Sequence, residues 1–207
     1  MMQKLDMSTW PRREHFRFFN RFEEPFFGLC TEVDCTRTAA RAKADGDSFF
    51  LAYLHHSLTA ANRTEPFRYR IQGDDVMVHD VVHASPTINR PDGTFGFAYM
   101  DYHEDFAVFA PAARKEIDRV RSEQTLIPAT SGENVIHYTS LPWIRFTGFS
   151  NARAFSFRDS IPKIAFGKMT EDRGRQMLPV SIHVHHALMD GFHVAQFLEL
   201  FQGLLNE

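Results

Sequence analysis

The sequence predicts an α/β fold of the α+β kind, a two-layer sandwich in which helices pack on a mixed β-sheet. Some stretches alternate apolar and polar residues, as Leu178–Val184 does, and this is typical of half-buried strands. Others carry apolar residues at helical spacing, as Val194–Leu205 does. Strands and helices are interspersed without a repeat or a linker, so residues 1–207 are expected to form a single domain.

The first half of the chain is expected to begin with a helix that has Pro11 in its first turn and runs to about Phe22. Asp34 and Ser48 are N-cap candidates for two further helices. Gln72–Asp75 is a turn of the kind that joins the strands of a hairpin. The predicted strands are Phe26–Val33, Phe67–Ile71, Val76–Val82, Ser85–Asn89 and Thr94–Tyr99, and the two further helices are Thr36–Ala44 and Phe49–Asn62.

The second half is expected to contain a long helix from Tyr102 to about Gln124, with Pro111 as the point at which it could break. Residues 150–162 are expected to be mostly irregular. The other predicted elements are a loop at Thr130–Glu133, strands at Val135–Thr139 and Ile144–Phe149, a hairpin of Ile164–Met169 with Gln176–His185, and a final helix at Gly191–Leu205.

Composition and charge argue against several classes of function. The net charge is −3 and no basic stripe occurs, which argues against nucleic acid as a partner. No apolar run is long enough to cross a membrane, and the N-terminus lacks a signal-peptide core, so a cytoplasmic location is expected. Cys30 and Cys35 are five apart and would lie on opposite faces of one strand, so a disulfide between them is not expected.

The segment His185-His186-Ala187-Leu188-Met189-Asp190-Gly191 lies where a predicted strand ends and a predicted helix begins. Side chains at such a junction can project into a cleft, where an imidazole, which titrates near neutral pH, can take a proton from a hydroxyl. Two other interpretations stay open. The histidine pair could be structural, since the chain has eleven histidines. Alternatively, His183, His185 and Asp190 could bind a metal, although no cysteine cluster or HExxH element supports this.

Four parts of the chain resemble the chloramphenicol acetyltransferases, in that family's order. Trp10–Phe16 is similar to the family's opening helix, and Phe67–Arg68 with Val76–Asp80 is similar to its hairpin. Leu141–Phe146 resembles a family strand, and Leu178–Val194 resembles the active-site strand and helix. The resemblance covers nearly the whole chain and implies a chloramphenicol acetyltransferase-like fold, that of the CoA-dependent acyltransferases.

The resemblance implies a CoA-dependent O-acyltransferase that moves an acetyl group from acetyl-CoA, its co-substrate, to a hydroxyl of a small molecule, either chloramphenicol-like or another acceptor. By the same resemblance, His186 would be the general base. Asp190 would pair with Arg12 and support the site rather than act as a base. The family further implies a homotrimer with active sites between subunits, no metal ion, and a role in antibiotic resistance.

Three positions depart from the family pattern, and each departure removes a hydroxyl group near the substrate. Gly148 stands where the family has a serine that stabilises the oxyanion, Ala165 where it has a threonine, and Phe19 where it has a tyrosine that contacts the antibiotic. Loss of one oxyanion donor typically costs about 100- to 1000-fold in rate. Three interpretations follow: a different acceptor, a slow enzyme, or a weak or inactive homologue that binds CoA or a ligand without turnover.

Overall fold

The computed structural model describes residues 1–126, 132–156 and 158–207 of the chain. None of the helices in these ranges is both long and apolar enough to span a membrane. The helices are α1 (Arg13–Phe19), α2 (Thr36–Asp45), α3 (Phe49–Arg63), α4 (Phe106–Ser122) and α5 (Gly191–Leu205), with a short 3-10 helix at Glu65–Arg68. The strands are β1 (Met2–Lys4), β2 (Phe26–Asp34), β3 (Tyr69–Gln72), β4 (Asp75–His79), β5 (His83–Asn89), β6 (Phe95–Phe97), β7 (Val135–Ser140), β8 (Lys163–Phe166), β9 (Thr170–Asp172) and β10 (Arg175–His185).

The main sheet is mixed, as the sequence predicts. Its strand order is β2-β10-β8-β7-β5-β6, and β9 pairs with the beginning of β10. β10 lies antiparallel between β2 and β8, whereas β8, β7 and β5 run parallel to one another. His185, the last residue of β10, still pairs with Phe26 of β2. The chain therefore leaves the sheet immediately before His186.

Helices cover one face of this sheet. Alternate residues of the central strands, such as Ile164 of β8 and Ile182 of β10, are buried in one core with α3 and α5. Full burial of one such aliphatic side chain contributes roughly 1.5–3 kcal/mol. α3 begins at Ser48, whose hydroxyl accepts a hydrogen bond from the Leu51 N–H at 3.4 Å, as expected of a cap. The predicted arrangement of helices on a mixed sheet is confirmed.

A smaller antiparallel sheet, β1-β4-β3, is joined to the main sheet through Arg70. The β3–β4 turn is the predicted one, with Gly73 at φ +63°. Arg70 is fully buried, and burial lowers its pKa to about 9. Its guanidinium donates to the backbone carbonyls of Phe67, Tyr69, Glu133 and Val135. The side chain thus ties β3 to the start of β7.

The predicted strand Ile144–Phe149 is wrong: these residues are irregular. A strand needs a neighbour for its backbone groups. The segment passes the end of β8, whose two edges are already paired with β7 and β10. A backbone hydrogen bond from the Lys168 N–H to the Ile144 carbonyl, at 2.8 Å, connects this segment to the chain that follows β8. Ile144 remains 55% exposed. The alternation of apolar and polar residues in this segment is therefore not accompanied by pairing with a strand of the same chain.

Other differences concern element boundaries. α1 is shorter than predicted, since the chain turns back after Phe19 with a bond from the Phe22 N–H to the Phe19 carbonyl. α4 begins only at Phe106 and continues through Pro111. Proline has no N–H, so the carbonyl four residues earlier loses its helical partner. Because Pro111 is exposed, this carbonyl lies on the solvent side of the helix. β1 was not predicted. Half of the predicted loop Thr130–Glu133 lies outside the described residues, and its other half, Gly132 and Glu133, is irregular as predicted.

Candidate active site

A tight turn, His186–Met189, carries the histidine motif between β10 and α5. The His186 N–H donates to the Pro25 carbonyl at 2.8 Å, which ties the turn to the chain before β2. The Met189 N–H donates to the His185 carbonyl at 3.2 Å and closes the turn. The position of His186 is therefore fixed from both sides of the strand end.

The orientation of the His186 ring determines which nitrogen can act as a base. Nδ1 lies 3.2 Å from the Met189 carbonyl oxygen. A carbonyl only accepts hydrogen bonds, so Nδ1 carries the proton and Nε2 keeps its lone pair in the neutral ring. Phe19 stacks on this ring with centroids 4.0 Å apart, and Phe27 lies 4.7 Å away. Two aromatic rings thus hold a partly exposed imidazole in one orientation.

Arg12 and Asp190 form the ion pair that the resemblance implies. Arg12 also donates to the His186 carbonyl oxygen at 3.1 Å, so one guanidinium connects α1 to both ends of the turn. Asp190 caps α5 by accepting the Phe192 N–H at 3.0 Å, and it lies 2.8 Å from Nδ1 of His193. Burial alone would raise the pKa of Asp190, but the bond to His193 and the charge of Arg12 hold it below its ordinary value.

His185 supports the same turn from the opposite side of the strand. Its Nδ1 accepts the Ala187 N–H at 3.2 Å, and its ring meets Phe26 edge-on. Burial, reinforced by the charge of Arg153, lowers the pKa of His185 to about 4, so the ring is neutral near pH 7. The sequence allows His185 as a metal ligand, whereas in the fold its Nδ1 accepts a hydrogen bond that stabilises the turn.

The three side chains considered for a metal are not brought together. Asp190 is engaged with Arg12 and His193, and the Nδ1 of His185 already accepts a backbone N–H. His183 lies over Gly28, where an added Cβ would fall 2.3 Å from its Nε2. No group of three or more His, Cys, Asp or Glu side chains within the described ranges is placed to hold a metal ion.

The three positions that depart from the family pattern are separated in the fold. Phe19 contacts His186, but Gly148 and Ala165 lie elsewhere in the chain. Ala165 pairs with Ser181 of β10, five residues before His186 and about 17 Å from it along an extended strand. Gly148 lies in the irregular segment after β7, with no atom within 4 Å of an added Cβ. One chain alone therefore does not place these two positions beside the histidine.

A row of polar side chains crosses the sheet face that lies away from the helices. Register places His183, Lys163 and His137 side by side on β10, β8 and β7. Lys163 is 8% exposed; it pairs with Asp159 and donates to the Ile161 carbonyl at 3.0 Å. Burial and, next, the charge of Lys163 lower the pKa of His183 and bring that of His137 to about 4. Both imidazoles are thus neutral near pH 7.

The sequence alone does not predict this row of His183, Lys163 and His137. Alternation along β10 and β7 could have placed the two histidines on the face opposite the core. Lys163 lay outside the predicted strand, which began at Ile164, and cross-strand register cannot be read from one sequence.

A groove of about 720 Å³ runs between α3, α4 and the chain after β7. Its lining is apolar at Phe49 and Phe50, and it includes Lys168, Arg114 and Trp143. The indole of Trp143 is 61% exposed. The groove therefore combines an apolar floor, a flat aromatic surface and cationic side chains.

Comparison with known proteins identifies similar chains. The sequence pattern of the family described as chloramphenicol acetyltransferase matches residues 1–202. A chloramphenicol acetyltransferase of Streptomyces acrimycini is 32% identical over 206 residues, covering 98% of this chain and 94% of that protein. Chloramphenicol acetyltransferase 3 of Escherichia coli is 31% identical, with coverage of 98% and 96%. A solved structure of a chloramphenicol acetyltransferase superimposes with a TM-score of 0.91 at 32% identity, covering 99% of this chain and 100% of that one.

Proposed function

Since the chain belongs to the chloramphenicol acetyltransferase family, a family of acyltransferases, we propose that it transfers an acetyl group from acetyl-CoA to a hydroxyl of a small molecule. One observation carries the proposal within the site: the Nδ1 of His186 is bound to the Met189 carbonyl, which leaves Nε2 as the proton acceptor. A base is required because a neutral alcohol attacks a thioester poorly.

In the proposed reaction, Nε2 of His186 takes the proton of the acceptor hydroxyl while its oxygen attacks the thioester carbonyl. The carbonyl carbon becomes tetrahedral and its oxygen negative. Collapse of this intermediate breaks the C–S bond and gives the acetyl ester. The imidazolium returns its proton to the departing CoA thiolate, so the histidine is neutral again.

Arg12 and Asp190 act as positioning residues in this proposal. Arg12 binds the His186 carbonyl and Asp190 caps the helix that follows, so together they fix the backbone on both sides of the base. A guanidinium suits this place because two of its nitrogens can donate at once, one to the Asp190 carboxylate and one to the His186 carbonyl. Neither residue is assigned a proton-transfer role.

The negative oxygen of the intermediate needs a donor, and Gly148 has no side chain to supply one. The open space over Gly148 supports a water molecule as the substitute, since nothing lies within 4 Å of an added Cβ. A backbone N–H is the second candidate. Either would replace the hydroxyl that the family serine provides.

The groove between α3 and α4 is the proposed acetyl-CoA site. Its apolar floor suits the pantetheine arm, exposed Trp143 offers a stacking surface for adenine, and Lys168 and Arg121 can pair with phosphates. We expect CoA to quench the fluorescence of Trp143, with a Trp143→Phe variant as the control that isolates it from Trp10. An unchanged Trp143 signal at saturating CoA would contradict this placement.

A homotrimer with active sites between subunits is part of the proposal. The separation of Gly148 and Ala165 from His186 within one chain supports it, because a neighbouring subunit could supply the missing wall. Exposed Ile144 and Phe192 are available for such contacts. Light scattering should give about three times the chain mass of 23.9 kDa; a monomer would contradict it.

The proposed activity is tested by release of free CoA thiol from acetyl-CoA in the presence of chloramphenicol and a panel of other hydroxyl compounds. His186→Ala should lower kcat by about 100- to 10,000-fold, because the general base is lost. The exposed His15 gives the matched control, and His15→Ala should leave the rate unchanged. CoA binding without thiol release from any acceptor would favour the alternative, a homologue that binds without turnover.

A further inference from the structure

A cavity of about 360 Å³ opens on the sheet face that lies away from the helices. Its volume falls within the range of small-molecule sites, about 300–1,000 Å³. Hydroxyl groups of Ser85, Thr87 and Thr139 line it, together with the side chains of His137 and Lys163. The polar row across β7 and β8 is therefore the floor of a cavity and not merely a buried network.

Several polar groups in this lining lack partners. Within the part of the chain that the structure describes, neither the three hydroxyls nor the ring nitrogens of His137 make a hydrogen bond. Unpaired polar groups that face a cavity gain free energy from a ligand or water that completes their hydrogen bonds. The lining thus offers both donors and acceptors to a molecule in the cavity.

The charges around the cavity are compensated in pairs. Lys163 is paired with Asp159, and Arg153 with Glu24. His137 and His183 are neutral near pH 7 for the reasons given above. Asp159 already neutralises Lys163, so an anionic ligand would lose its hydration without gaining an uncompensated cation, and a cationic ligand would meet the ammonium of Lys163, which lines the cavity. A neutral ligand avoids both penalties.

The cavity adjoins a position that the family resemblance places on the acceptor side. Ala165 follows Lys163 by two residues on β8, so both point to the same face of the sheet. The register partner of Ala165 on β7 is Thr139, which lines the cavity. The polar lining and the acceptor-side position therefore lie on the same face of the sheet, with Ala165 itself buried beside the cavity-lining Thr139.

We propose that His137 and Lys163 are specificity-determining residues of the acceptor site and that they select a neutral, hydroxyl-rich small molecule. The inference rests on the proposed acetyl transfer, because it names the class of acceptor. Chloramphenicol, with two hydroxyls on a largely apolar frame, uses few of the polar groups in the lining.

Calorimetric titration of the full-length protein tests the proposal without requiring turnover. The probes are methyl shikimate and shikimate, which carry the same three ring hydroxyls and differ in one negative charge, and chloramphenicol. We expect methyl shikimate to bind at least tenfold more tightly than shikimate. Equal affinities, or no binding of methyl shikimate up to about 10 mM, would overturn the proposal.

His137→Leu is the first test variant, since it removes a polar side chain that has no partner and should not destabilise the fold. It should weaken methyl shikimate binding about tenfold, the effect of one lost hydrogen bond, and leave chloramphenicol binding unchanged or tighter. His15→Leu, at an exposed position, should alter neither. Unaltered methyl shikimate affinity in His137→Leu would refute the assigned role.

Lys163 needs a paired exchange, because Lys163→Met alone would leave Asp159 buried without its partner. The double variant Lys163→Met with Asp159→Asn keeps the site neutral. It should shift the affinity ratio of methyl shikimate to chloramphenicol at least tenfold toward chloramphenicol. An unchanged ratio in a folded double variant would exclude Lys163 from specificity.

Thiol release separates this proposal from the function on which it rests. Charge-selective binding with no acetyl transfer to any acceptor would reject the proposed activity and leave the pocket assignment standing. Efficient transfer to chloramphenicol without preference for methyl shikimate over shikimate would establish the activity and reject the pocket assignment.

Discussion

At the scale of single residues, the Met189 carbonyl decides the chemistry open to His186. It binds Nδ1 and so directs the lone pair to Nε2. The stacked ring of Phe19 limits rotation of the imidazole, which reduces the ordering needed when a substrate binds. A tyrosine at this position would add a hydroxyl without changing the surface that stacks on the imidazole.

Gly148→Ser should restore an oxyanion donor. The space over Gly148 admits a serine side chain without a clash, and its φ lies outside the left-handed region. If the missing hydroxyl limits the rate, kcat should rise by about 10- to 100-fold, a part of the usual worth of such a donor. Steady-state thiol release measures this, with Gly148→Ala as the control for added bulk. An equal rate in all three proteins would mean that another group stabilises the oxyanion.

Arg12→Ala should lower both stability and kcat. It leaves Asp190 without its cation and frees the His186 carbonyl. Because Asp190 is one-third exposed, the expected loss is about 1–3 kcal/mol, less than for a fully buried pair. Arg41→Ala removes a solvent-exposed pair with Asp45 and should cost under about 0.5 kcal/mol. Urea unfolding compares them; equal losses would contradict the positioning role.

At the scale of elements, the strands and helices with strong periodicity could be predicted from the sequence. β10 and α5 were found nearly to the residue because alternation and helical spacing change at the histidine motif. Ile144–Phe149 has the same alternation and still forms no strand in the chain. Strand formation depends on a free edge beside the segment, and edges are a property of tertiary structure.

The candidate site likewise has one part that could be predicted from the sequence and one part that could not. The pair of Arg12 and Asp190 could be expected, because the family resemblance links two distant segments. The polar row of His183, Lys163 and His137 could not, because three strands of unknown order and register create it. Periodicity indicates which face of an element is polar, but not which polar faces meet.

Arg70→Met should destabilise the junction between the two sheets. The substitution fills similar volume but removes the Arg70 donors from four backbone carbonyls, three of them in buried contacts. Unsatisfied groups of this kind cost about 1–3 kcal/mol each, so a total loss of at least about 3 kcal/mol is expected. Denaturant unfolding measures it, with exposed Arg175→Met as the control. A loss below that of the control would show that Arg70 does not join the sheets.

At the scale of the whole molecule, stability should fall as the pH decreases from about 6.5 to about 4. His56, His137 and His185 have pKa values of about 4 in the fold, against an ordinary 6.5. Between these values the unfolded chain binds more protons than the folded protein, so acid favours unfolding. Above about pH 6.5 the contribution is complete. Each histidine adds a slope of up to about 1.4 kcal/mol per pH unit.

His137→Asn should reduce the slope of unfolding free energy against pH by up to about 1.4 kcal/mol per pH unit, the contribution of one proton. Urea unfolding at several pH values measures this slope. His15→Asn, which alters an exposed ring, should leave the slope unchanged. If both variants keep the wild-type slope, burial of His137 does not contribute to acid sensitivity.

The close approach of His183 to Gly28 restricts the order in which these two positions can change over time. A methyl group at position 28 would overlap the imidazole, since its Cβ would lie 2.3 Å from Nε2. A lineage that first replaces His183 with a smaller residue opens position 28 to alanine or serine. A lineage that begins at position 28 must displace the ring before any benefit can arise. Descendants of this sequence are therefore expected to lose the histidine before they lose the glycine.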